Sequence, residues 1–557
     1  MGGAWWVASW LATPRAHGPR RVRPAVEWSD VSVAKEQSRG RVVMLVDNGV
    51  EGDSRVQKSA RSMADAGWDV TLIGVATAGV PRTSWRLGDA EVRLVPFRSP
   101  LATPRGKLGW TPRRPFAYST AALAAARRQK LAGRRSDVRF RRDALTAARR
   151  AGGSALSERV GRAALLPAQA TNKITNLWVR FRSGELRRAA ESRSNADALL
   201  TKAQIRFWRA VRGERSWRNL DPSFWDYELA MGRVVDELQP DIIHAHDYKV
   251  LGVAARAKIR AAARGREVKL VWDAHEYVPG LSPYPTRPTW LPAQIDYERE
   301  YAPYADAVVT VSEALAELLR DEHHLATLPA VVMNCPTRGE ATAERDVPGR
   351  DLRADCGIGP DTPLIAYCGG LSIARNTILT VEALPDLPGV HLALICVHPN
   401  RPRTVPDQHL ARAAELGVAD RVHVLNYVPH DQVVSYVVPA DLAVSPLLHL
   451  PNHEIALSNK FFEYAQARVP MVVSDVRTMA ETVRRYGLGE VFPAGDRDGY
   501  LEAVRAVLAN KGKYRAGYDE PGLLDGWTWD RQATVLDATY QSLRPATHDA
   551  TSRHVAS

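Results

Sequence analysis

A lysine and a glutamate stand three residues apart at the start of a predicted helix in the last third of the chain. The stretch reads SNKFFEYAQARVPMVVSD, from Ser458 to Asp475, and the helix leads into a buried strand. Ser458 or Asn459 can cap the helix, so its first turn offers free backbone N–H groups to an anion. Lys460 adds a charge suited to phosphate, and Glu463, on the same face, can accept hydrogen bonds from a ribose diol. The pattern indicates a nucleotide site, although a surface Lys–Glu pair has the same spacing.

The elements around this stretch alternate between strands and helices. Apolar runs such as RVVMLVD and DIIHAH end in polar residues, and helical patterns separate them. After a polar stretch rich in Gly, Arg and Pro, a second series includes PLIAYCGGL, DLAVSPL and VPMVVSD. Such alternation predicts parallel sheets that bind ligands at the carboxyl ends of their strands. We therefore expect an α/β protein with two Rossmann-like domains and a cleft between them.

The expected boundaries follow from these two series, because 557 residues exceed what one core supports. Residues 1–39 are expected to form a disordered tail, and 40–340 the first domain. Residues 341–520 would form the second domain, and 521–545 a helix that crosses back to the first. A basic helical insertion over 100–222 would interrupt the first domain.

The positive charge of the chain is concentrated in this insertion. The whole sequence has a net charge of +13, whereas residues 101–220 contain 28 Lys and Arg against 7 Asp and Glu. The segment is rich in Ala and Arg with helical spacing, and Trp and Phe are interleaved. This composition fits adsorption to an anionic membrane surface. A solvated, partly disordered insertion is the simpler interpretation. Nucleic-acid binding is not favoured, since no nucleic-acid module is recognisable.

Other features of the sequence indicate where in the cell the protein is located. The four cysteines have no CxxC or zinc-like spacing, which is typical of a reducing compartment. The apolar stretch GAWWVASWLA is too short to span a bilayer, and no charged region precedes it as in a signal peptide. We expect a cytoplasmic protein, with any membrane contact peripheral and on the cytoplasmic face.

The two α/β series and the SNKFFEYAQARVPMVVSD stretch resemble the GT-B glycosyltransferases, above all the retaining family 4 (group 1) enzymes. The resemblance runs from about Arg41 to Leu543, outside the insertion, and includes DSRVQKSARSMADAGWDVTLI, LVWDAHEY and AYCGGL in the family's order. It implies transfer of a hexosyl group from a nucleoside-diphosphate sugar to an acceptor hydroxyl, with retention and without a metal or other cofactor. The pathway would be glycan, glycolipid or glycosylated-metabolite biosynthesis, with an unknown, lipid-linked or free acceptor.

The resemblance also implies roles for residues of the second domain. Arg375 and Lys460 would stabilise the leaving diphosphate, and position 375 keeps the charge of the lysine found in many relatives. The loop after a strand would contact the base, and Glu463 the ribose. The expected donor-binding residues are Gly369, Gly370, Asn426, Tyr427, Val428, Glu454, Ser458, Asn459 and Glu463.

In the first domain the resemblance places His275 against the transferred sugar, as the third expected catalytic residue beside Arg375 and Lys460. A histidine that bonds only to backbone is the alternative. Asn48 and Gly49 would line the acceptor side, with His246 and Glu276 as further acceptor contacts.

The chain departs from the family at one position of the donor site. Relatives often have a second glutamate eight positions before Glu463, but this chain has Ile455 there, with Glu454 beside it. A shift of one residue would bring Glu454 to the sugar. No DxD metal motif ends a strand, and the DRD at Asp496–Asp498 is expected to begin a helix. A nucleotide-sugar epimerase and a non-catalytic sugar-nucleotide-binding protein are the alternative functions.

Overall fold

The structure is a computed structural model that describes residues 38–76, 83–101, 118, 121–186, 198–283, 288–339, 351–397, 404–455 and 457–544. The tail expected over residues 1–39 lies outside the described residues, except for its last two.

The first sheet contains eight strands. They are β1 (Arg41–Leu45), β2 (Asp69–Ala76), β3 (Ser84–Leu87), β4 (Ala90–Pro96), β5 (Ile242–His246), β6 (Lys269–Ala274), β7 (Ala307–Thr310) and β8 (Ala330–Val331). Their order is β3-β4-β2-β1-β5-β6-β7-β8, and every neighbouring pair is parallel except β3 and β4. The central strand β1 is fully buried from Val42 to Leu45, as the continuous apolar run predicts for a sheet covered on both faces.

The second sheet contains six strands, all parallel to their neighbours. They are β9 (Leu364–Cys368), β10 (His391–Val397), β11 (Val422–Asn426), β12 (Leu442–Ser445), β13 (Met471–Ser474) and β14 (Gly489–Phe492). The order is β11-β10-β9-β12-β13-β14. The expected α/β class with two Rossmann-like domains is therefore confirmed.

Helices cover both sheets. Those of the first domain are Ser54–Asp65, Trp217–Leu220, Phe224–Leu238, Leu251–Ala263, Trp290–Tyr301 and Glu313–His323. Those of the second are Leu352–Asp355, Ile378–Ala383, Thr404–Glu415, Val433–Val437, Pro451–Ile455, Asn459–Gln466, Arg477–Tyr486, Arg497–Ala509, Lys511–Ala516 and Leu523–Gly526. The DRD motif begins a helix as expected, since Asp496 caps Arg497–Ala509 by accepting a hydrogen bond from the Asp498 N–H.

The insertion is helical where the structure describes it. Its helices are Ala121–Arg150, Ala155–Ala163, Leu166–Leu186 and Ala198–Arg212. The long helix Ala121–Arg150 packs closely on the first domain, because a Cβ added at Gly133 would lie 2.1 Å from the Trp225 ring. The same helix carries the buried Asp137, which forms ion pairs with Arg218 and, at 2.5 Å, with Arg256. Complementary packing and paired buried charges thus anchor the insertion to the domain.

The last helix, Trp529–Ser542, follows the second domain and packs on the first. The Trp529 indole donates to Ser62 Oγ at 2.9 Å, and Tyr540 lies edge-on to Trp68 with 5.4 Å between ring centroids. The helix also joins the segment that links the domains, since Trp529 N donates to Pro336 O at 2.7 Å and Arg338 N donates to Asp530 at 2.7 Å. Two passages of chain therefore run side by side between the domains.

Among the helices that the structure describes, none is both long enough and apolar enough to cross a bilayer.

Candidate functional site

A cavity of about 650 Å³ lies at the carboxyl ends of strands of the second sheet and reaches a loop of the first domain. Nine of the expected donor-binding or catalytic residues line it: Gly369, Gly370, Arg375, Tyr427, Val428, Ser458, Asn459, Lys460 and Glu463. Asn426 ends β11 with an exposed side chain and is not part of the lining.

Glycine is required where β9 ends. Gly369 has a φ of +116°, a backbone conformation that side chains strain, and its N–H donates to Ile395 O at 3.0 Å. A Cβ on Gly369 would lie 3.6 Å from Lys460 Cε and 3.9 Å from Arg375 Nη1. The turn therefore brings bare backbone close to two cationic side chains.

Arg375 ends a short 3₁₀ helix, Ile373–Arg375, that follows this turn. Its Nη1 donates to Gly370 O at 2.8 Å, and the Tyr367 hydroxyl donates to the same carbonyl at 3.0 Å. These bonds hold the guanidinium beside the glycine turn.

Lys460 is almost completely buried, although it is charged in water. Its Nζ donates to the Tyr367 hydroxyl at 3.3 Å and lies 4.7 Å from the centre of that ring. Burial and the neighbouring Arg375 lower the pKa of Lys460 to about 7, and Glu463 opposes them only in part. Two basic side chains and the Glu463 carboxylate line one cavity, and burial beside Arg375 outweighs Glu463 at Lys460, which suits a ligand with several negative charges.

Ser458 precedes the Lys460 helix, Asn459–Gln466, but does not cap it through its side chain. Its Oγ is buried without a hydrogen-bond partner among the described residues, and the residue lines the cavity. The first turn of the helix thus keeps a hydroxyl and backbone N–H groups for a ligand.

The first domain contributes Glu51, Gly52 and Ser54 to the lining, which the sequence analysis did not assign. Glu51 and Gly52 belong to the loop before the helix Ser54–Asp65, and Ser54 is the first residue of that helix. The matched DSRVQKSARSMADAGWDVTLI stretch was the available signal. Asn48 supports this loop rather than lining the cavity. Its Oδ1 accepts from Val50 N at 2.7 Å, and its Nδ2 donates to Asp53 at 2.8 Å. Gly49 lies in the same turn and is likewise not part of the lining.

A buried carboxylate, Asp273, organises the histidines at the ends of β5 and β6. Arg55 binds both of its oxygens, at 2.9 and 2.6 Å, and His246 Nδ1 and His275 Nε2 lie 2.9 and 3.1 Å from Oδ2. Burial would raise the pKa of Asp273, but Arg55 and the histidines hold it well below its usual range. Burial lowers the pKa of His275, yet the Asp273 carboxylate raises it above its ordinary value.

The histidines therefore differ in what they can contact. His275 is partly exposed and bonds to a side chain, so the alternative of backbone bonding alone is wrong. His246 is fully buried, and the expected acceptor contact through its side chain is corrected to a structural role. Burial lowers the pKa of His246 to about 3, so this imidazole is neutral.

His244, His246 and Asp273 also have potential metal-ligand atoms within 4.8 Å of one another. The hydrogen bonds account for this grouping. Arg55 occupies both oxygens of Asp273, and His244 Nδ1 bonds to the Tyr540 hydroxyl at 2.5 Å. A guanidinium in contact with the only carboxylate disfavours a cation there.

Three carboxylates follow the neighbouring strands β1, β5 and β6. They are Asp47, Asp247 and Glu276, and Lys249 pairs with Asp47 at 2.6 Å. Burial and the nearby Asp247 raise the pKa of Glu276 to about 7. This edge of the first sheet is acidic, whereas the cavity wall of the second domain is basic.

The segment Pro451–Ile455 explains the departure at position 455. Ile455 is buried and packs into a hydrophobic cluster of the first domain, and its carbonyl accepts a hydrogen bond from Ser312 Oγ. Nearby, Asn452 exchanges two hydrogen bonds with the Tyr277 backbone, of 2.7 and 3.0 Å. We call this segment the clasp, because it ties the second domain to the first.

Glu454 does not take the place of the missing glutamate. Its oxygens accept from Arg477 N at 2.8 Å and bond to His449 Nδ1 at 2.6 Å. It therefore caps the helix Arg477–Tyr486, and it is not part of the cavity lining. The expected sugar contact of Glu454 is corrected accordingly.

Comparison with known proteins gives two family matches, one in each domain. Residues 183–336 match Glycosyltransferase Family 4, and residues 362–510 match Glycosyl transferases group 1. A D-inositol 3-phosphate glycosyltransferase of Nocardia farcinica is 23% identical over 214 residues, which are 37% of this chain and 46% of that protein. The chain thus aligns with about half the length of this relative.

Solved structures share the fold. Sucrose-phosphate synthase from Thermosynechococcus elongatus superposes with a TM-score of 0.57 at 14% identity, over 91% of this chain and 99% of that one. Anabaena HepE in complex with UDP and glucose gives 0.52 at 12% identity, over 90% and 100%. The chain has the GT-B fold, and the resemblance seen in the sequence is confirmed in both domains.

Proposed function

We propose that this chain transfers a hexosyl group from a nucleoside-diphosphate sugar to an acceptor hydroxyl, with retention. The premise is that it carries a glycosyltransferase family domain in each half of a GT-B fold. The observation that carries the proposal is the pair of cations at the glycine turn. Arg375 and Lys460 both line the cavity, and the nearby Glu463 offsets their mutual repulsion only in part, so a diphosphate would supply the missing negative charge.

In this mechanism the second domain holds the donor. The backbone at Gly369 and the start of the Lys460 helix receive the diphosphate, and Glu463 accepts hydrogen bonds from the ribose. Tyr427 and Val428 contact the base. As the bond between the anomeric carbon and the diphosphate breaks, Arg375 and Lys460 stabilise the charge that develops on the leaving group, without a metal.

The first domain binds the acceptor. His275, oriented by Asp273, contacts the transferred sugar, and closure around the clasp excludes water that would hydrolyse the donor. No catalytic base is assigned.

The acceptor we propose bears its hydroxyl on an uncharged part of the molecule, such as the glycan of a lipid-linked carrier at the cytoplasmic face of a membrane. Asp47, Asp247 and Glu276 give the expected acceptor edge carboxyl groups that can hydrogen-bond to hydroxyls, and burial raises the pKa of Asp247 and Glu276. D-inositol 3-phosphate, which appears in the relatives' name, is the acceptor to compare.

The test is a thermal-shift titration of the full chain with UDP, GDP, ADP and their glucose conjugates, followed by a transfer assay. A bound donor raises the melting temperature. Lys460→Met is expected to abolish the shift. Lys513→Met is the matched control, because Lys513 also lies over a tyrosine ring, at 4.8 Å from the centre of Tyr514, but outside the cavity.

Three outcomes distinguish the alternatives. No shift with any nucleotide would overturn the proposal. Conversion of the donor alone into an epimer would identify an epimerase. Donor binding with no transfer to any acceptor and no hydrolysis would identify a non-catalytic binding protein.

A further inference from the structure

Two helices of the insertion point apolar side chains away from the protein. Leu156 and Val160 on Ala155–Ala163, and Leu166, Ile174, Leu177, Trp178 and Phe181 on Leu166–Leu186, are each between 46% and 70% exposed. We call these seven residues the outer face. On a helix of 100° per residue, the five on Leu166–Leu186 fall within an arc of about 120°. The exposure is therefore a continuous stripe and not scattered single residues.

The opposite sides of the same helices are buried. On Ala155–Ala163 the buried residue is Glu158, which pairs with Arg149 at 3.1 Å and Arg162 at 2.7 Å. On Leu166–Leu186 the buried residues up to position 183 are Asn172 and Val179, and the helix packs on Ala121–Arg150. A helix of a globular protein normally turns its apolar stripe to the core. Here the arrangement is reversed, so the stripe needs another apolar environment.

Exposed cations border the stripe. Lys173 and Arg180 lie along one side of it on Leu166–Leu186, and Arg159 lies beside Val160 on the shorter helix. The ring of Trp178 stacks on that of Phe181 with 5.6 Å between centroids, toward the carboxyl end of the stripe. Aromatic and aliphatic side chains flanked by lysine and arginine are the arrangement of helices that lie in the interface of an anionic bilayer.

We infer that the outer face docks the protein on an anionic lipid surface, with its apolar side chains inserted among the lipids and its cations at the headgroups. Because Asp137 and Gly133 anchor the long helix to the first domain, the docked insertion holds that domain at the membrane. The inference rests on the proposed function only in that a lipid-linked acceptor would be met there.

The experiment is co-sedimentation of the full chain with vesicles of phosphatidylcholine alone or mixed with phosphatidylglycerol. Wild type is expected to bind the anionic vesicles and not the neutral ones, and high salt is expected to weaken binding. The triple variant Ile174→Glu, Leu177→Glu, Phe181→Glu should lose about tenfold or more in apparent affinity. Leu328→Glu is the matched control, because Leu328 is an exposed leucine outside the insertion.

Fold and function are checked in the same samples by far-UV circular dichroism and by the UDP thermal shift, which the triple variant should retain. Equal vesicle binding by the triple variant and wild type would overturn the inference, as would wild type that ignores anionic vesicles. If wild type instead forms a dimer that the triple variant converts to a monomer, and neither binds vesicles, the occupant is a second copy and the lipid inference fails. Loss of vesicle binding with nucleotide binding intact separates this inference from the proposed function.

Discussion

At the scale of single residues, Lys460 is the group whose charge responds to the ligand. Without an anion its pKa is about 7, because the side chain is buried beside Arg375. A bound diphosphate would restore the pKa toward that of an ordinary lysine. Donor binding should therefore be accompanied by proton uptake at neutral and alkaline pH.

The affinity for a nucleotide sugar is accordingly expected to fall as the pH rises from 6 to 9, by up to about tenfold per pH unit above 7. The phosphates of a nucleotide sugar stay ionised over this range, so the change reports on the protein. Isothermal titration calorimetry in two buffers of different ionisation enthalpy measures the uptake. Lys460→Arg keeps its charge throughout and should show a flat profile. Parallel pH profiles of affinity for wild type and Lys460→Arg, or no proton uptake by wild type, would contradict the assignment of Lys460 as the responding group.

Ile455 shows why a residue can depart from a family pattern. Its side chain packs in the first domain, so a glutamate there would bring a carboxylate into an apolar cluster. Ile455→Glu is expected to lower the free energy of unfolding by about 3 kcal/mol or more at pH 7. Ile455→Leu, which keeps the volume, should cost less than about 1.5 kcal/mol.

Urea unfolding followed by circular dichroism compares the two. If Ile455→Glu is as stable as wild type and binds the donor sugar more tightly, the position belongs to the donor site after all.

At the scale of elements, a close approach between two helices helps to anchor the insertion. Gly133→Leu places a side chain where the Trp225 ring lies, and overpacking of this kind costs about 1–3 kcal/mol. We expect a lower melting temperature and faster proteolysis within the insertion. Gly512→Leu is the control, since Gly512 is helical and a Cβ there meets no atom within 4 Å. Equal melting temperatures for the two variants would show that the long helix does not depend on this contact.

The helices and strands were predictable from the sequence, but some of the long-range contacts of their side chains were not. Alternation of apolar runs with helical spacing gives both sheets, and the Gly369 turn and Lys460 follow from local pattern. The role of Ile455 depends on Ser312, which is 143 positions away in sequence. Likewise, the period of a helix reveals its apolar stripe but not whether that stripe turns inward, and the outer face is the case where it does not. Glu51 and Ser54 join the cavity only when two domains are brought together.

At the scale of the whole molecule, Asp273 joins the helix Ser54–Asp65 to the histidine cluster, and His244 extends the network to the last helix through Tyr540. Asp273→Asn would remove the charged partner of the buried Arg55, and breaking a buried ion pair typically costs about 3–5 kcal/mol. Asp69→Asn is the matched control, because Asp69 forms an exposed ion pair with Arg41 that should contribute at most about 1 kcal/mol. Chemical unfolding of both variants measures the difference. Equal losses of unfolding free energy would show that the buried ion pair contributes no more to stability than the exposed one.

The two passages of chain between the domains have a mechanical consequence. Trp529 and Asp530 of the last helix are bonded to the linking segment at Pro336 and Arg338. Two chain segments that are hydrogen-bonded side by side can bend together about one axis, whereas twisting or sliding of one against the other would break those hydrogen bonds. The cleft should therefore open and close by rotation about one axis that runs along these two segments.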